Sequence, residues 1–462
     1  MDAFECNGFW WLASAPDKKV AGVLRFSDEQ GLVLSLLEVL GDLPPNSGEK
    51  RLPLILGFSH DSKLGAAVSL RNCVRKSYSL GLGAYAHESY YASFGLFGFH
   101  GETDEDPAFP SCQLRFSGLQ QWAWTGMTVT KDVEEEPSFS VGIQARAKDP
   151  YVVDLPDCRF SLGWDFSVSQ GMFRLSLEES AVIRLTSQTA RTTGEWLRRF
   201  VSPIHDFLTF ATDTPTRLDQ ITFGHPSRPT QTVAFVYQRF FSKAPNEADF
   251  SRHRQMFLFA EVRDRFGDLL QAWMNAQSKF RAACGVFFGT LYAHQSYLES
   301  RFLPVMQAIS LYHRAKEGID RRERLERALP PSLLESTPEA DRESLLTWLT
   351  ERHVDTFYET LLALLTNHEA ELEPLLPLGT DAFLSETINL RSYALHREGN
   401  AAEQDGYSGR MFFTLSVLSF LFKACLLKEV GFTDEERRAL FNRNPTFGFL
   451  QELARKTYPR PE

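Results

Sequence analysis

The spacing of apolar and polar positions changes its period once along the chain. Up to about residue 187, short apolar runs alternate with Gly, Pro, Asp and Asn, which favour turns. The runs are GFWWLA, AGVLRF, GLVLSLL, LPLILGF, AAVSLRN, FSVGIQA, FRLSL and AVIRLTS. Runs of this length and composition predict antiparallel strands, so we expect a β-sandwich or barrel-like N-terminal domain.

A helical segment and two more strands are expected to complete this domain. Residues 192–212 have apolar positions nearer to helical spacing, and Pro203 is predicted to interrupt the helix. The strand-like runs QITFGH and TVAFVYQRFF come next. Residues 242–255 then lack a sustained apolar stripe. We predict a β-rich domain over residues 1–241 and a linker over 242–255.

Beyond the linker the apolar period becomes about 3.6 residues, which predicts helices. Over residues 287–318 one long helix is expected, with Pro304 as the place of a kink. Its apolar stripe contains Phe288, Leu291, Tyr292, Leu298, Phe302, Val305, Met306 and Ile309. With further helical stretches downstream, residues 256–462 predict an all-α bundle. The fold class is therefore α+β, with two domains.

Charge and cysteine content narrow the functional classes. The net charge of −10 argues against a protein that coats nucleic acid through a broad basic surface, so any RNA contact must be local. The six cysteines form no Cys-x-x-Cys pair, and no His cluster has metal-ligand spacing. We expect free thiols in a reducing cytoplasm, no metal and no cofactor.

Neither a secretory signal nor a membrane span is expected. The N-terminal MDAFEC carries two acids and no basic region before an apolar run. The apolar run at residues 411–422 stops at Lys423, short of the roughly 20 residues that a bilayer needs. We interpret it as a buried helix of a cytoplasmic protein.

The stretch NLRSYALHREGN, residues 389–400, carries the candidate chemistry. Arg391 offers a planar, permanently charged fork for phosphate oxygens, and His396 titrates near neutral pH and can exchange a proton with a ribose hydroxyl. A metal-free ribonuclease requires these two parts. Equally, HREGN is typical of a helix C-terminus, with Gly399 at the left-handed cap and cations favoured by the helix dipole.

Helix geometry constrains how such a pair could work. Five positions at 100° per residue place Arg391 and His396 about 140° apart around an ideal helix. One straight helix therefore does not direct both side chains to one phosphate. A two-fold dimer would solve this, because each site could take its arginine and its histidine from different subunits.

The motif and its surroundings resemble a known family. An all-helical domain with R-x4-6-H at a helix end is similar to the HEPN ribonucleases. The whole chain resembles the ApeA-like abortive-infection proteins of bacteria, through NGFWWLASAPDKKVAGVLRFS and HDFLTFATDTPTRLDQITF in the first domain. In the second domain, LLQAWM, YLESRFLPVMQAI, NLRSYALH and LLKEVGF carry the resemblance.

The resemblance implies an RNA endonuclease of anti-phage defence, with Arg391 and His396 as the catalytic pair. It further implies that the N-terminal domain is a sensor or regulator that a phage-derived trigger could engage. Two positions differ from many relatives. Ser392 stands where asparagine often follows the arginine, and Ser310 stands near the place of a glutamate on the long helix, with Glu299 nearby as a substitute.

The expected reaction is attack of a ribose 2′-hydroxyl on the adjacent phosphate, which leaves a 2′,3′-cyclic phosphate without any metal ion. Asn389 and Ser392 could hydrogen-bond the RNA, and Tyr393 could stack on a base. Two other interpretations stay open. One is a non-catalytic HEPN module that binds RNA or a protein, with an N-terminal recognition domain. The other is a β-sandwich ligand receptor whose helical half only dimerises.

Overall fold

The computed structural model describes residues 3–40, 51–80, 86–101, 103–124, 129–134, 140–145, 149–170, 175–238, 245–293, 297–328, 337–338, 341–344, 356–396 and 407–457. The chain forms two compact units. The first comprises Met1–Thr209 and Thr216–Phe250, and the second comprises Phe210–Pro215 and Ser251–Glu462. The predicted domain limits at 241 and 256 stay a proposal, and the described part of 242–255 contains the short 3₁₀ helices Glu247–Phe250 and Arg252–Arg254.

The first unit is built from antiparallel strands, as the alternating pattern predicted. Their bounds are β1 Phe4–Trp11, β2 Val20–Ser27, β3 Gly31–Leu36, β4 Arg51–Ser59, β5 Ala67–Leu80, β6 Ala86–Phe97, β7 Ala108–Phe116, β8 Val129–Glu134, β9 Ser140–Ala145, β10 Tyr151–Asp154, β11 Arg159–Gln170, β12 Leu175–Thr192, β13 Leu218–Gly224 and β14 Thr232–Tyr237. Strands β8 and β9 form a separate hairpin, and the other twelve share one sheet. Of the runs FRLSL and AVIRLTS, expected as two strands, residues 175–177 and 181–187 lie in the single strand β12, and residues 173–174 lie outside the described residues.

Part of this sheet closes on itself. The strand order is β10-β11-β12-β7-β13-β14-β6-β3-β2-β1-β4-β5, and β5 also pairs with β6. Six strands, from β6 through β3, β2, β1 and β4 to β5, therefore form a closed barrel. On one edge of β6, residues 88–92 pair with β3 and residues 94–97 pair with β14. The barrel and the open half of the sheet thus share β6, and the expected antiparallel barrel-like domain is confirmed.

Strand β1 shows how alternation builds the barrel wall. Cys6 and Trp10 are fully buried in the barrel core, and Gly57 of β4 leaves room for the indole of Trp10. Trp11 faces the other side of the strand and is covered there by Leu54 and Leu56. Consecutive bulky residues are therefore both buried, one on each face of the wall.

The helical segment after β12 runs through its proline. Helix α2, Thr193–Trp196, begins at a capping box in which Thr192 accepts from the backbone N–H of Glu195. A π-helical turn, Leu197–Val201, follows, and α3 spans Ser202–Thr212. Pro203 is thus a helical residue, and the predicted interruption is wrong. The wider π turn directly before it relieves the ring's clash with the preceding turn. A short helix, α1 Leu119–Ala123, completes the unit.

The second unit is a helical bundle, as predicted. Its helices are α4 Phe259–Val262, α5 Phe266–Lys279, α6 Arg281–Tyr292, α7 Leu298–Ala328, α8 Phe357–Asn367, α9 Glu369–Leu372, α10 Thr380–His396, α11 Tyr407–Glu429, α12 Asp434–Arg443 and α13 Pro445–Thr457. The prediction of a single helix over residues 287–318 is wrong. Ala293 has extended backbone angles, and α6 ends just before it. Pro304 lies inside α7, as expected.

Helix α11 is the central helix of this unit. Among the described residues it alone is long and apolar enough to cross a membrane, but 72% of its most apolar window is buried in the protein. This burial is typical of a core helix. Lys423, where the apolar run was expected to stop, lies inside the helix and pairs with Asp213. Helix α7 packs on α11, where Tyr312 contacts the ring of Phe422 and donates to Glu429, and Lys316 pairs with the same Glu429.

A buried ionic cluster joins α9 to α12. The Arg437 Nε atom donates to Glu371 Oε1 at 2.6 Å, and a second guanidinium nitrogen donates to Asp434 at 2.8 Å. His368 Nδ1 lies 3.6 Å from the same Glu371 oxygen, and the Cys425 thiol lies 3.6 Å from His368 Nε2. All but Asp434 are at most 3% exposed. We assign these residues a structural role, because substrate has no route to them.

Candidate functional site

Helix α10 carries the residues predicted to catalyse cleavage or contact RNA, namely Asn389, Arg391, Ser392, Tyr393 and His396. Its buried face contains Phe383, Leu384, Thr387 and Leu390, at the spacing of an amphipathic helix. This face packs against α7, α8 and α11. The packing fixes the helix, and the selected residues occupy its last two turns.

Arg391 is exposed, and no carboxylate of the described residues pairs with it. Its guanidinium lies over the ring of Phe357, the first residue of α8, at 5.1 Å from the ring centroid. Within the described part of the chain it makes no hydrogen bond and no ion pair. A cation–π contact of this kind is worth about 0.5–1 kcal/mol at an exposed site and leaves the N–H groups of the fork available. Among the residues that the structure describes, the arginine is therefore oriented by Phe357 and has no counter-charge.

His396 is the last residue of α10. Its side chain lies outside the described part of the chain, as do residues 397–400 with Gly399. Both the catalytic interpretation of His396 and the helix-cap interpretation of HREGN accordingly stay predictions. The α10 backbone carries Arg391 and His396 in one continuous helix, so the angle of about 140° between them applies.

The weaker candidates divide into two exposed residues and one packed residue. Asn389 and Ser392 are exposed on α10. Tyr393 is half-buried, and its ring packs against Tyr407, the first residue of α11, with centroids 4.2 Å apart. This ring pair brings the end of α10 to the beginning of α11.

Glu299 and Ser310 lie at different levels of the bundle. Ser310 donates to the carbonyl of Met306, one turn earlier in its own helix, at 3.0 Å. Glu299 is in the first turn of α7 and close enough to Tyr407 to act on it electrostatically. Eleven residues of helix separate the two, or about 16 Å. Of the two, Glu299 is the one at the end of the bundle where α10 finishes.

Tyr407 and Arg410 lie beside α10, and the sequence did not predict that they belong to the candidate site. Burial, reinforced by the negative charge of Glu299 and by Tyr393, raises the pKa of Tyr407 to about 12, so this phenol stays protonated. Arg410 pairs with Glu386 on α10 at 3.6 Å. Neither residue had a sequence signal, because the contact with α10 arises only from helix packing. In the described part of the chain, no group of three or more His, Cys, Asp or Glu side chains could hold a metal ion.

The similarly spaced arginines and histidine of the first unit form no comparable site. Arg199 pairs with Asp157. His205 bonds the carbonyl of Thr216 at 2.7 Å, and burial lowers the pKa of its imidazole to about 4. A buried neutral histidine fixed to a backbone carbonyl is a structural residue.

Two models of known protein families match this chain. The family described as ApeA N-terminal domain 1 matches residues 5–273, which is more than half of the chain. The chain belongs to the ApeA-like family. A second family, described as Apea-like HEPN, matches residues 303–436. No curated protein and no solved structure matches the chain.

The two matches follow each other along the chain. The ApeA N-terminal match covers the barrel and the open sheet and reaches into α5 of the second unit. The HEPN match covers most of α7 and all of α8 to α11, with Arg391 and His396 inside it. An ApeA-like HEPN domain indicates a family of abortive-infection nucleases, whose HEPN domains typically bind RNA and often dimerise. The resemblance found in the sequence is therefore confirmed at the level of the family.

Proposed function

We propose that this ApeA-like chain is a metal-independent RNA endonuclease of a bacterial anti-phage abortive-infection system. The observation that carries the proposal is the state of Arg391. It is exposed, has no carboxylate partner in the described part of the chain, and lies within the Apea-like HEPN match on the same helix as His396.

The proposed reaction uses only the RNA and two side chains. His396 removes the proton of a ribose 2′-hydroxyl, and the 2′-oxygen forms a bond to the adjacent phosphorus. The bond from phosphorus to the 5′-oxygen breaks, and that oxygen leaves with the proton that His396 had removed, which regenerates the neutral imidazole. The products are a 2′,3′-cyclic phosphate and a free 5′-hydroxyl. Arg391 stabilises the charge that develops on the phosphate oxygens. DNA lacks the 2′-hydroxyl and is inert.

A composite site follows from the helix geometry. Since about 140° of helix rotation separates Arg391 from His396, we propose a homodimer in which each phosphate meets the arginine of one protomer and the histidine of the other. Asn389 and Ser392, both exposed, would contact the RNA backbone. The ApeA N-terminal domain would act as the sensor of a phage-derived trigger in the bacterial cytoplasm.

The test is cleavage of total RNA in EDTA by the purified full chain and by His396→Ala. Loss of a general base typically costs about 10²- to 10⁴-fold in rate, so the variant should leave the RNA almost intact. His253→Ala is the matched control, because His253 is an exposed histidine of the same unit on a 3₁₀ helix away from α10. It should cut like the wild type, and the new 3′ ends should carry cyclic phosphate. Equal cleavage by wild type and His396→Ala would favour the non-catalytic binding module instead.

A further inference from the structure

The guanidinium of Arg391 interacts with an aromatic ring rather than with a carboxylate, among the residues that the structure describes. Its central carbon lies 5.1 Å from the centroid of the Phe357 ring. Phe357 is half-buried and Arg391 is exposed, so the contact lies at the surface of the bundle. A phosphate group can therefore approach the arginine from solvent while the ring stays in place.

Two features of α8 fix the position of Phe357. A capping box begins the helix, in which the backbone N–H of Glu359 donates to the Thr356 hydroxyl at 3.3 Å and the backbone N–H of Thr356 donates to the Glu359 carboxylate at 2.7 Å. Phe357 is also the first member of an apolar stripe that continues through the buried Leu361 and Leu365. Helix α8 packs against α7 and α10. The ring is therefore held beside α10 by a capped helix.

A second arginine of the same unit shows what differs at Arg391. The guanidinium of Arg265 lies 4.7 Å from the ring centroid of Phe432, and it also donates to the carboxylate of Glu436 at 2.7 Å. That carboxylate balances the charge of Arg265 and occupies one of its N–H groups. A ring attracts the cation through its electron-rich face and carries no net charge, so it does not compete with a phosphate for the positive charge of Arg391.

Holding the guanidinium matters for the chemistry proposed above. A group that stabilises a transition state acts best when it is in place before the charge develops. An arginine side chain has many rotamers, and ordering it during the reaction costs free energy. The ring of Phe357 orders the guanidinium before the RNA arrives, and the attraction strengthens when the bound RNA excludes water.

We propose that Phe357 is a positioning residue for RNA cleavage, whose ring holds the guanidinium of Arg391 where charge develops on the phosphate. This inference rests on the proposed function, because Phe357 acts on the reaction only through Arg391. The contribution of the arginine is larger in the transition state than in the bound RNA. Loss of the ring should therefore lower kcat and leave KM almost unchanged.

The test measures cleavage of a single-stranded oligoribonucleotide in EDTA by the full chain. Phe357→Leu keeps an apolar side chain without a ring, so kcat should fall about five- to thirtyfold, the range from an exposed to a desolvated cation–π contact. Phe357→Tyr keeps the ring face and should stay within about twofold of the wild-type kcat. Phe449→Leu is the matched control, because Phe449 is an exposed aromatic residue of the same unit, on α13. It should cut like the wild type.

A series of fluorinated phenylalanines separates the electrostatic role of the ring from its packing. Phe357 is replaced in the full chain by mono-, di- and trifluorinated phenylalanine, which have nearly the same size and withdraw electron density from the ring face in steps. The value of kcat should fall at each step, by about fivefold over the series, while the melting temperature stays the same. The same series at Phe449 should leave kcat unchanged.

NMR spectroscopy reads the contact without any cleavage. In protein with isotopically labelled arginine, the Nε–Hε signal of Arg391 is assigned by its absence in Arg391→Ala. This signal should move in Phe357→Leu, because the ring current of Phe357 acts on protons above its face. An unmoved signal, or fluorinated proteins that all cut at the wild-type rate, would overturn the positioning role. The proposed function fails separately, when wild type and His396→Ala cut RNA alike, and the NMR signal then still reports whether the ring holds the arginine.

Discussion

The carboxylate of Asp213 is paired with the ammonium group of Lys423, across 210 positions of sequence. Both side chains are at most 13% exposed, and Asp213 also accepts from the side chain of Asn444 at 2.8 Å. Asp213 has a positive φ of 52°, which Asp and Asn tolerate better than most residues. One short loop thus holds α11 and the start of α13 in the helical unit.

Asp213→Ala should lower the free energy of unfolding of the helical unit by about 3 kcal/mol, because it leaves the charge of Lys423 buried and unpaired. Urea unfolding followed by circular dichroism measures the loss. Asp213→Asn is the matched control, since it keeps the left-handed backbone but removes the charge. If both variants lose less than about 1 kcal/mol, the pair contributes no more than a surface salt bridge.

Acid should weaken the helical unit through Glu371. Burial opposes ionisation of this carboxyl, but His368 and Arg437 outweigh burial and lower its pKa from 4.5 to about 2. Because the folded-state pKa is below the unfolded value, the stabilisation is present above about pH 4.5 and is lost as the pH falls. Between about pH 5 and pH 3 the loss should be about 2 kcal/mol.

Urea unfolding at a series of pH values measures this effect in wild type and in Glu371→Gln. The variant should be less stable at neutral pH, because Arg437 loses its buried counter-charge, and its stability should fall less steeply in acid. Parallel pH profiles for the two proteins would show that other carboxylates cause the acid sensitivity.

Mixing two inactive variants tests the composite RNA site. In a dimer of Arg391→Ala with His396→Ala, one of the two sites receives both native residues, and the other receives neither. Random mixing makes half of the dimers mixed, so the mixture should recover about a quarter of the wild-type cleavage rate. Each variant alone should be almost inactive. A mixture no more active than its components would place the arginine and the histidine of each site in one protomer.

Gly57→Ala should destabilise the barrel. A Cβ atom at this position would overlap the indole of Trp10, which fills the barrel core. Overpacking of this kind typically costs about 1–3 kcal/mol. Gly285→Ala in α6 is the control, because a Cβ there meets nothing within 4 Å and should stabilise the helix slightly. Thermal unfolding of both variants gives the comparison, and equal melting temperatures would contradict the tight packing around Trp10.

The sequence predicts the element types well where burial is periodic. Strand β1 alternates Cys6 and Trp10 with exposed residues, and α10 repeats its buried residues at helical spacing. Both patterns come directly from which face meets a core. The family resemblance located Arg391 and His396, since their spacing alone also fits Arg199 and His205, which have structural partners.

Contacts between distant elements are the part that the sequence did not predict. The break between α6 and α7 was missed because the apolar stripe continues across Ala293, whose backbone is extended. Closure of the barrel depends on β5 pairing with β6, and a pairing partner leaves no periodic signal. Tyr407 was missed for the same reason, since only its packing against Tyr393 brings it to the end of α10.

Closure of the six-stranded barrel also determines at which edge a further strand could pair with this sheet. Within the described part of the chain, β5 pairs with β6, so the free edge of the sheet is at β10. That strand has only four residues, and Val152 within it is 47% exposed. A strand this short limits unwanted β-pairing between molecules. Its backbone N–H and C=O groups on the free edge still face solvent. A peptide graft or reporter insertion intended to extend the sheet should therefore be placed beside Tyr151–Asp154, where it leaves the barrel wall untouched.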